Sequence, residues 1–343
     1  MLAYIVKRLL LMVPTLLGAL TITFVVIQFV PGGPIEQLLA ESRASARGEG
    51  IYKAGHDSDE KQIAALKKLY GFDKPAHVRY VEMVGSFLRF DLGMSFLQNR
   101  PVWQLIKEKL PVSVSLGAWT FLVSYLISIP LGIAKAVREG TRFDAWTSAL
   151  VLIGYAIPGF VLGVLLIVLF AGGAVVEWFP LRGLVSDNWQ ELSWPARIAD
   201  YFWHLTLPLI CFVVGSFAAV TMLTKNTFVE EMRKQYVLVA RARGLAPRRV
   251  LWKHIFRNAL IPLVTGFPAA FIGAFFAGSV LIETLFSLDG LGLLSYESVV
   301  RRDYPVVLGS LYFFTLIALA VKLFADLLYV VVDPRVQFTS VAR

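Results

Sequence analysis

Apolar residues fall along the chain in six long runs, at about residues 9–30, 112–135, 146–171, 204–225, 262–283 and 305–332. Each is near or above the roughly 20 apolar residues that a helix needs to cross a bilayer. An α-helix satisfies its own backbone, so it is the open-chain form that lipid tolerates. The pattern predicts an all-α integral membrane protein with six transmembrane helices. The first run follows Lys7 and Arg8, as a secretory signal would, but it holds 22 residues without a charge. A signal core is roughly 7–15 residues and ends at a small-residue cleavage site, which is not evident here. It reads as a retained span. Pro14, Pro130, Pro158 and Pro268 lie inside runs, where neighbouring helices can satisfy the freed carbonyls.

The polar segments divide the chain into a first helix with its N-terminus (1–30), a loop or cap (31–111) and a five-helix core (112–343). Within the loop, ESRASARGEGIYKAGHDSDEK reads as a flexible excursion. Ile63, Leu66, Leu69 and Tyr70 recur at helical spacing, and RYVEMVGSFLRFDLG (79–93) reads as a second short helix. A small helical insertion after the first span is expected.

Composition agrees with this division. The 343 residues are 57% hydrophobic and 17% charged, against about 45–50% and about 25% in a soluble domain. Mean hydropathy is +0.66. Cys211 is the single cysteine, so there is no disulfide framework or cysteine metal site. The net charge of +9 could point to nucleic acid, but its distribution follows the positive-inside rule. Lys7, Arg8, Lys135, Arg138, Arg142, Arg335 and Arg343 fall on one side, with nine more Lys or Arg between Lys225 and Arg257. The short opposite loops hold Arg182, Arg197, Arg301 and Arg302. The twelve basic residues of 31–111 carry little weight, since loops longer than about 60 residues cross regardless of charge. Both termini are expected in the cytoplasm.

Catalytic patterns are missing. No phosphate loop, H-E-x-x-H or C-x-x-C occurs. Ser216 and His204 are the nearest candidates for an intramembrane serine hydrolase. They stand twelve residues apart on one run, about 18 Å at 1.5 Å per residue, too far to pair. They read as a packing serine and an interfacial histidine. Lys322 and Asp326 are spaced to pair along one helix face, and the other runs offer no carboxylate for a proton relay. No cofactor is expected on the chain, which lacks an energy source of its own.

Residues 240–264, ARARGLAPRRVLWKHIFRNALIPLV, hold Arg241, Arg243, Arg248, Arg249, Lys253 and Arg257 without an acid. Upstream, Phe228, Met232, Tyr236 and Val239 fall on one helical side. Gly244, followed by Pro247, marks a stop and restart. A second helix carries Val250, Leu251, His254, Ile255 and Asn258 on one face. Two short helices about a glycine turn make a cytoplasmic knob, whose apolar stripe can enter a groove on another protein or pack on the bundle itself.

This segment resembles the cytoplasmic loop of permease subunits in bacterial ABC importers. Ala240 and Gly244 match its general pattern, while Leu238 and Val239 replace its Glu and first Ala. The departures resemble the dipeptide/oligopeptide branch, as do FDLGMSF (90–96), IPGFVLGVLL (157–166), RRDYPVVLGSLY (301–312) and DLLYVVVDPRVQF (326–338). Gly33 and the run LIETLFSLDGLGLL (281–294) are similar to the Yej-type peptide and microcin permeases. The resemblance implies a type I ABC importer permease fold and a non-catalytic subunit carrying peptides or peptide-like antibiotics. It also implies a second related permease, two cytoplasmic ATPase domains that bind the ATP, and a periplasmic peptide-binding protein. The ATPases would dock on loop 226–261 through Tyr236, Ala240, Arg241, Gly244, Leu245 and His254. Pro158, Gly159, Gly273 and Gly278 are candidates for the pore lining, because small residues permit a path, though they equally permit close packing. A stand-alone secondary transporter and a scaffold are the alternatives; the two halves of the chain show no convincing repeat to favour the former.

Overall fold

The computed structural model describes residues 2–30, 72–172, 175–276 and 279–332. The flexible excursion, the helix expected around 63–70, Gly33, Gly278 and the tail beyond 332 lie outside the described residues. Those described form helices α1 (Leu2–Phe29), α2 (Ala76–Phe87), α3 (Val102–Val137), α4 (Arg142–Ala156), α5 (Gly159–Phe170), α6 (Trp194–Met232) and α7 (Gln235–Ala242). The helical path continues through α8 (Pro247–Val250), a π-helical turn (Leu251–Ile255), α9 (Phe256–Ala259), α10 (Ile261–Phe276), α11 (Ser279–Leu285), α12 (Leu291–Val300) and α13 (Tyr304–Val332). Strand pairing among the described residues is limited to one isolated bridge, Met94 with Pro101.

Four helices among the described residues, α1, α3, α6 and α13, are long and apolar enough to cross a membrane. With 36 and 39 residues, α3 and α6 reach about 54 and 58 Å at 1.5 Å per residue. That exceeds the roughly 30 Å hydrocarbon core, so each carries a polar extension beyond it. The run expected as one helix at 146–171 is instead two, α4 and α5, bent by 92°. Pro158 has no N–H to continue the ladder and disfavours helical backbone at the residue before it. Ile157 is accordingly extended, at φ −85° and ψ 118°. The run expected at 262–283 includes residues outside the described set and is seen as α10 and α11.

Contacts divide the chain into two units, one of residues 2–110 with 293–319, the other of 111–292 with 320–343. In the first, two of the motifs singled out in the sequence meet. Asp303, of RRDYP, is buried and accepts hydrogen bonds from the Ser95 hydroxyl and, at 3.0 Å, the Phe96 N–H of FDLGMSF. The left-handed backbone at Phe90, Gly93 and Asn99 curls that segment around them. Two turns along α13, Gly309 admits Val102; a Cβ there would stand 2.8 Å from Val102 Cγ1. Tyr312 donates to the Phe87 carbonyl at 3.0 Å, and its ring packs on Phe87 and Phe90.

In the second unit α3 and α6 touch at Gly132. A Cβ there would lie 2.5 Å from Thr224 Cβ and 2.9 Å from the Thr221 carbonyl oxygen. Only glycine lets the two backbones approach this closely. Further along the same two helices, Leu116, Leu205, Leu207 and Cys211 pack with Ile282, Phe286 and Leu288 in one buried cluster. Ser124 and Ser216 share a hydrogen bond of 2.7 Å between the two helices.

Candidate coupling and translocation sites

Helix α6 does not run straight into the knob. Arg233 caps it in helical conformation, and Lys234 turns extended, at φ −73° and ψ 149°. That break resets the helical phase. Val239, expected on the inner side with Phe228, Met232 and Tyr236, is therefore 51% exposed, and the inner positions of α7 are Val237 and Ala240. Glu231 anchors the break from the end of α6: Tyr236 donates to its Oε2 at 2.7 Å, and Lys234 donates to its other oxygen. Burial first, then the bond to Glu231, pushes the Tyr236 phenol up to about 12.

The glycine turn is a Schellman closure. Gly244, at φ +78°, donates to the Arg241 carbonyl at 2.9 Å, and Leu245 donates to the Ala240 carbonyl at 3.3 Å. The left-handed residue after a helix is the one that glycine accepts without strain. Leu245 then packs back on the cluster that Ala240 belongs to.

That cluster joins the knob to the bundle. Val237, Ala240, Val250, Ile255 and Ala259 are buried with Phe228 of α6 and Ile133 and Ala136 of α3. Of the residues expected at the docking face, Ala240 is 7% exposed, while Tyr236, Leu245 and His254 are half-buried. Tyr236 and Leu245 pack against the same cluster. Arg241 and Gly244 are exposed, beside Val239 and Leu238, the latter 60% exposed. The knob thus has an inner face that grips its own chain and an outer face that is free among the described residues.

Beside the knob, three charges lock the ends of α3, α4 and α6. Lys135 has no exposed surface. Its ammonium lies 3.2 Å from Asp144 Oδ1 and donates to Thr147 and Ser148 at 2.9 and 2.6 Å. Lys225 meets Asp144 Oδ2 at 2.7 Å. The sequence counts both lysines as topology charges; a lone aspartate at the start of an apolar run is the one signal it offers for this lock, since Lys225 stands 81 residues away along the chain.

A cavity of about 480 Å³ opens between α3, α5, α6, α10 and α11. Its walls are mostly apolar, with Phe121, Tyr125 and Phe212 beside Ser124 and Ser216. Of the four small residues offered as pore lining, Gly159 lines this cavity. It also presses on α6, since a Cβ there would be 3.0 Å from the Cys211 carbonyl oxygen. Pro158 is exposed at the bend, Gly273 lies in α10, and Gly278 is outside the described residues. His204 is buried and faces Asp200, 3.5 Å away, so it has a structural partner of its own. The expectation that the other runs offer no carboxylate fails at Glu283. This residue is 1% exposed, and its carboxyl packs where Gly290 leaves room, 2.7 Å from an ideal Cβ there.

Residues 128–338, which contain the knob, the charge lock and most of the cavity wall, match the family model for the binding-protein-dependent transport system inner membrane component. The chain belongs to that family. The peptidoglycan transport system permease protein YejB of Agrobacterium fabrum is 53% identical over 98% of both chains. The inner membrane ABC transporter permease protein YejB of Escherichia coli O157:H7 is 50% identical, over 98% of this chain and 99% of its own. The oligopeptide transport system permease protein AppB of Bacillus subtilis is 32% identical, over 98% of this chain and 100% of its own. This chain is accordingly a multi-pass inner membrane permease component of an ABC transporter, without catalysis of its own. Its family implies an ATPase and a substrate-binding protein as partners.

Proposed function

We propose that this chain forms half of a translocation path for peptides or peptide-like antibiotics across the inner membrane, paired with a second related permease. The observation that carries this reading is the knob: a glycine-closed helix pair with its inner face packed on α3 and α6 and its outer face free among the described residues. A lever must be rigidly joined to what it moves. Two cytoplasmic ATPase domains, which bind the ATP, dock on loop 226–261, with Arg241, Gly244, Leu238 and Val239 outermost. Tyr236, Ala240, Leu245 and His254 act from behind, by holding that surface to the bundle. Closure of the ATPases moves α3 and α6 through the shared cluster. The cavity walled by Phe121, Tyr125 and Phe212 supplies this chain's part of the path, and a periplasmic binding protein delivers the cargo. Six spans, a periplasmic cap at 31–111 and both termini in the cytoplasm complete the arrangement.

Peptide cargo rests on the relatives' names, one of which speaks of peptidoglycan transport and another of oligopeptide transport. Affinity capture of the full chain in mild detergent tests the assembly. An ATPase and a second permease are expected in the eluate. Full peptide uptake by proteoliposomes holding this chain alone would instead make it a secondary transporter.

A further inference from the structure

The outer face of the second knob helix carries a feature that ATPase docking on α7 does not use. Arg249, Trp252, Lys253, Phe256 and Arg257 line one shallow cavity of about 510 Å³. The three cations stand at i, i+4 and i+8, and all are exposed. Each is without an ion-pair partner among the described residues. Between them Trp252, 51% exposed, packs its ring on Phe256 at 5.1 Å. Lys253 and Arg257 also border a second cavity, of about 540 Å³. Its one carboxylate, Glu231, already accepts from Tyr236 and Lys234.

Position decides between the occupants that such a surface could take. The chain runs helically from Pro247 through the π turn into α10, whose apolar sequence begins at Ile261. Along such an axis Arg257 stands about 6 Å, Lys253 about 12 Å and Arg249 about 18 Å before that first apolar residue. The headgroup layer is about 5–8 Å deep on each side of the hydrocarbon core, and long basic side chains bend towards it. Arg257 at headgroup depth, two further cations on the cytoplasmic side of it and an aromatic pair beside them match the chemistry of an interfacial lipid site.

We infer that Arg249, Lys253 and Arg257 bind the phosphate of an anionic phospholipid, with Trp252 and Phe256 against its glycerol and upper acyl chain. The site ties the base of the lever to the membrane surface, and none of Leu238, Val239 and Arg241 lines its cavity. It does not depend on ATPase docking, so failure to capture an ATPase leaves it standing.

The test is native mass spectrometry of the full chain in detergent, titrated with phosphatidylglycerol or with phosphatidylcholine of the same acyl chains. Wild type is expected to favour phosphatidylglycerol. The preference should fall about fivefold for each cation removed, as for a surface interaction of about one kilocalorie each. R249Q/K253Q/R257Q should abolish it, R249K/R257K should keep it, and R241Q/R243Q on and beside α7 should leave it unchanged. If the triple variant aggregates, R257Q alone still has to show its fivefold loss. Equal binding of both lipids by wild type overturns the inference, as does an equal loss in R241Q/R243Q. Retained lipid preference with lost ATPase capture in the triple variant would assign the patch to a protein partner and overturn it too.

Discussion

Lys135 buries its ammonium 3.2 Å from one oxygen of Asp144, while Lys225 holds the other oxygen at 2.7 Å. One carboxylate thus joins three helix ends and pairs with both lysines at once. Removing the acid strands Lys135, which has no exposed surface. Breaking one side of a buried ion pair costs about 3–5 kcal/mol. Asp144→Asn should therefore lower the thermal midpoint of the detergent-solubilised chain markedly. Lys225→Gln should lower it less, because Lys135 still pairs with the remaining carboxylate. Equal, small shifts for both would show that the lock contributes little.

Gly132 is a matter of space. An added Cβ would stand 2.5 Å from Thr224 Cβ and 2.9 Å from a backbone oxygen of α6, and a backbone cannot swing aside as a side chain can. Gly132→Leu should force α3 and α6 apart, with a cost of about 1–3 kcal/mol or more. Cysteines placed on the two helices should then crosslink less readily, and Gly154→Leu, where the nearest atom is a side-chain methyl at 3.4 Å, should disturb the bundle less.

Tyr236→Phe removes one hydrogen bond to the Glu231 carboxylate while keeping the ring. A bond to a charged group contributes about 1.5–3 kcal/mol, so the knob of this variant should exchange its amide hydrogens faster. The sign of the pH dependence follows from the phenol, raised to about 12 in the folded chain from about 10 unfolded. Its contribution is fully present below about pH 10 and is lost as pH rises through about 12. The difference between wild type and Tyr236→Phe should thus stay constant from about pH 6 to 9. A difference that collapses within that range would mean that the phenol is not the donor.

Gly244 separates backbone strain from crowding. At φ +78° nothing lies within 4 Å of where a Cβ would stand. The cost of replacement therefore comes from the left-handed backbone, about 1–2 kcal/mol for an ordinary residue. Gly244→Asn should be nearly neutral and Gly244→Val costly. Gly244→Trp should leave membrane insertion intact and, on the docking hypothesis, uncouple ATP hydrolysis from peptide uptake. Normal uptake by that variant would remove Gly244 from the docking surface.

Much of this protein is legible in its sequence because lipid imposes a strong and simple rule. Uncharged runs of about 20 residues must be helices, and Gly244 with Pro247 marks the turn because few residues tolerate that backbone. The helix-period pattern also finds the inner face of the second knob helix, at Val250 and Ile255. It fails at Val239, since Lys234 leaves the helical region and periodicity carries no information across such a break. It fails again at 146–171, where hydropathy is continuous but Pro158 turns the chain by 92°.

Membrane class and the place of the knob along the chain thus follow from local composition and backbone preference, and the residue string suffices for them. Which side of the knob is free among the described residues, and the burial of Lys135, counted in the sequence only as a cytoplasmic charge, emerge only when the helices pack. The same holds for Asp303 meeting Ser95 across more than two hundred residues, and for Glu283 filling the space beside Gly290. Such relationships depend on distances between segments brought together by folding, where a single carboxylate or a missing Cβ acts only once its partner lies against it.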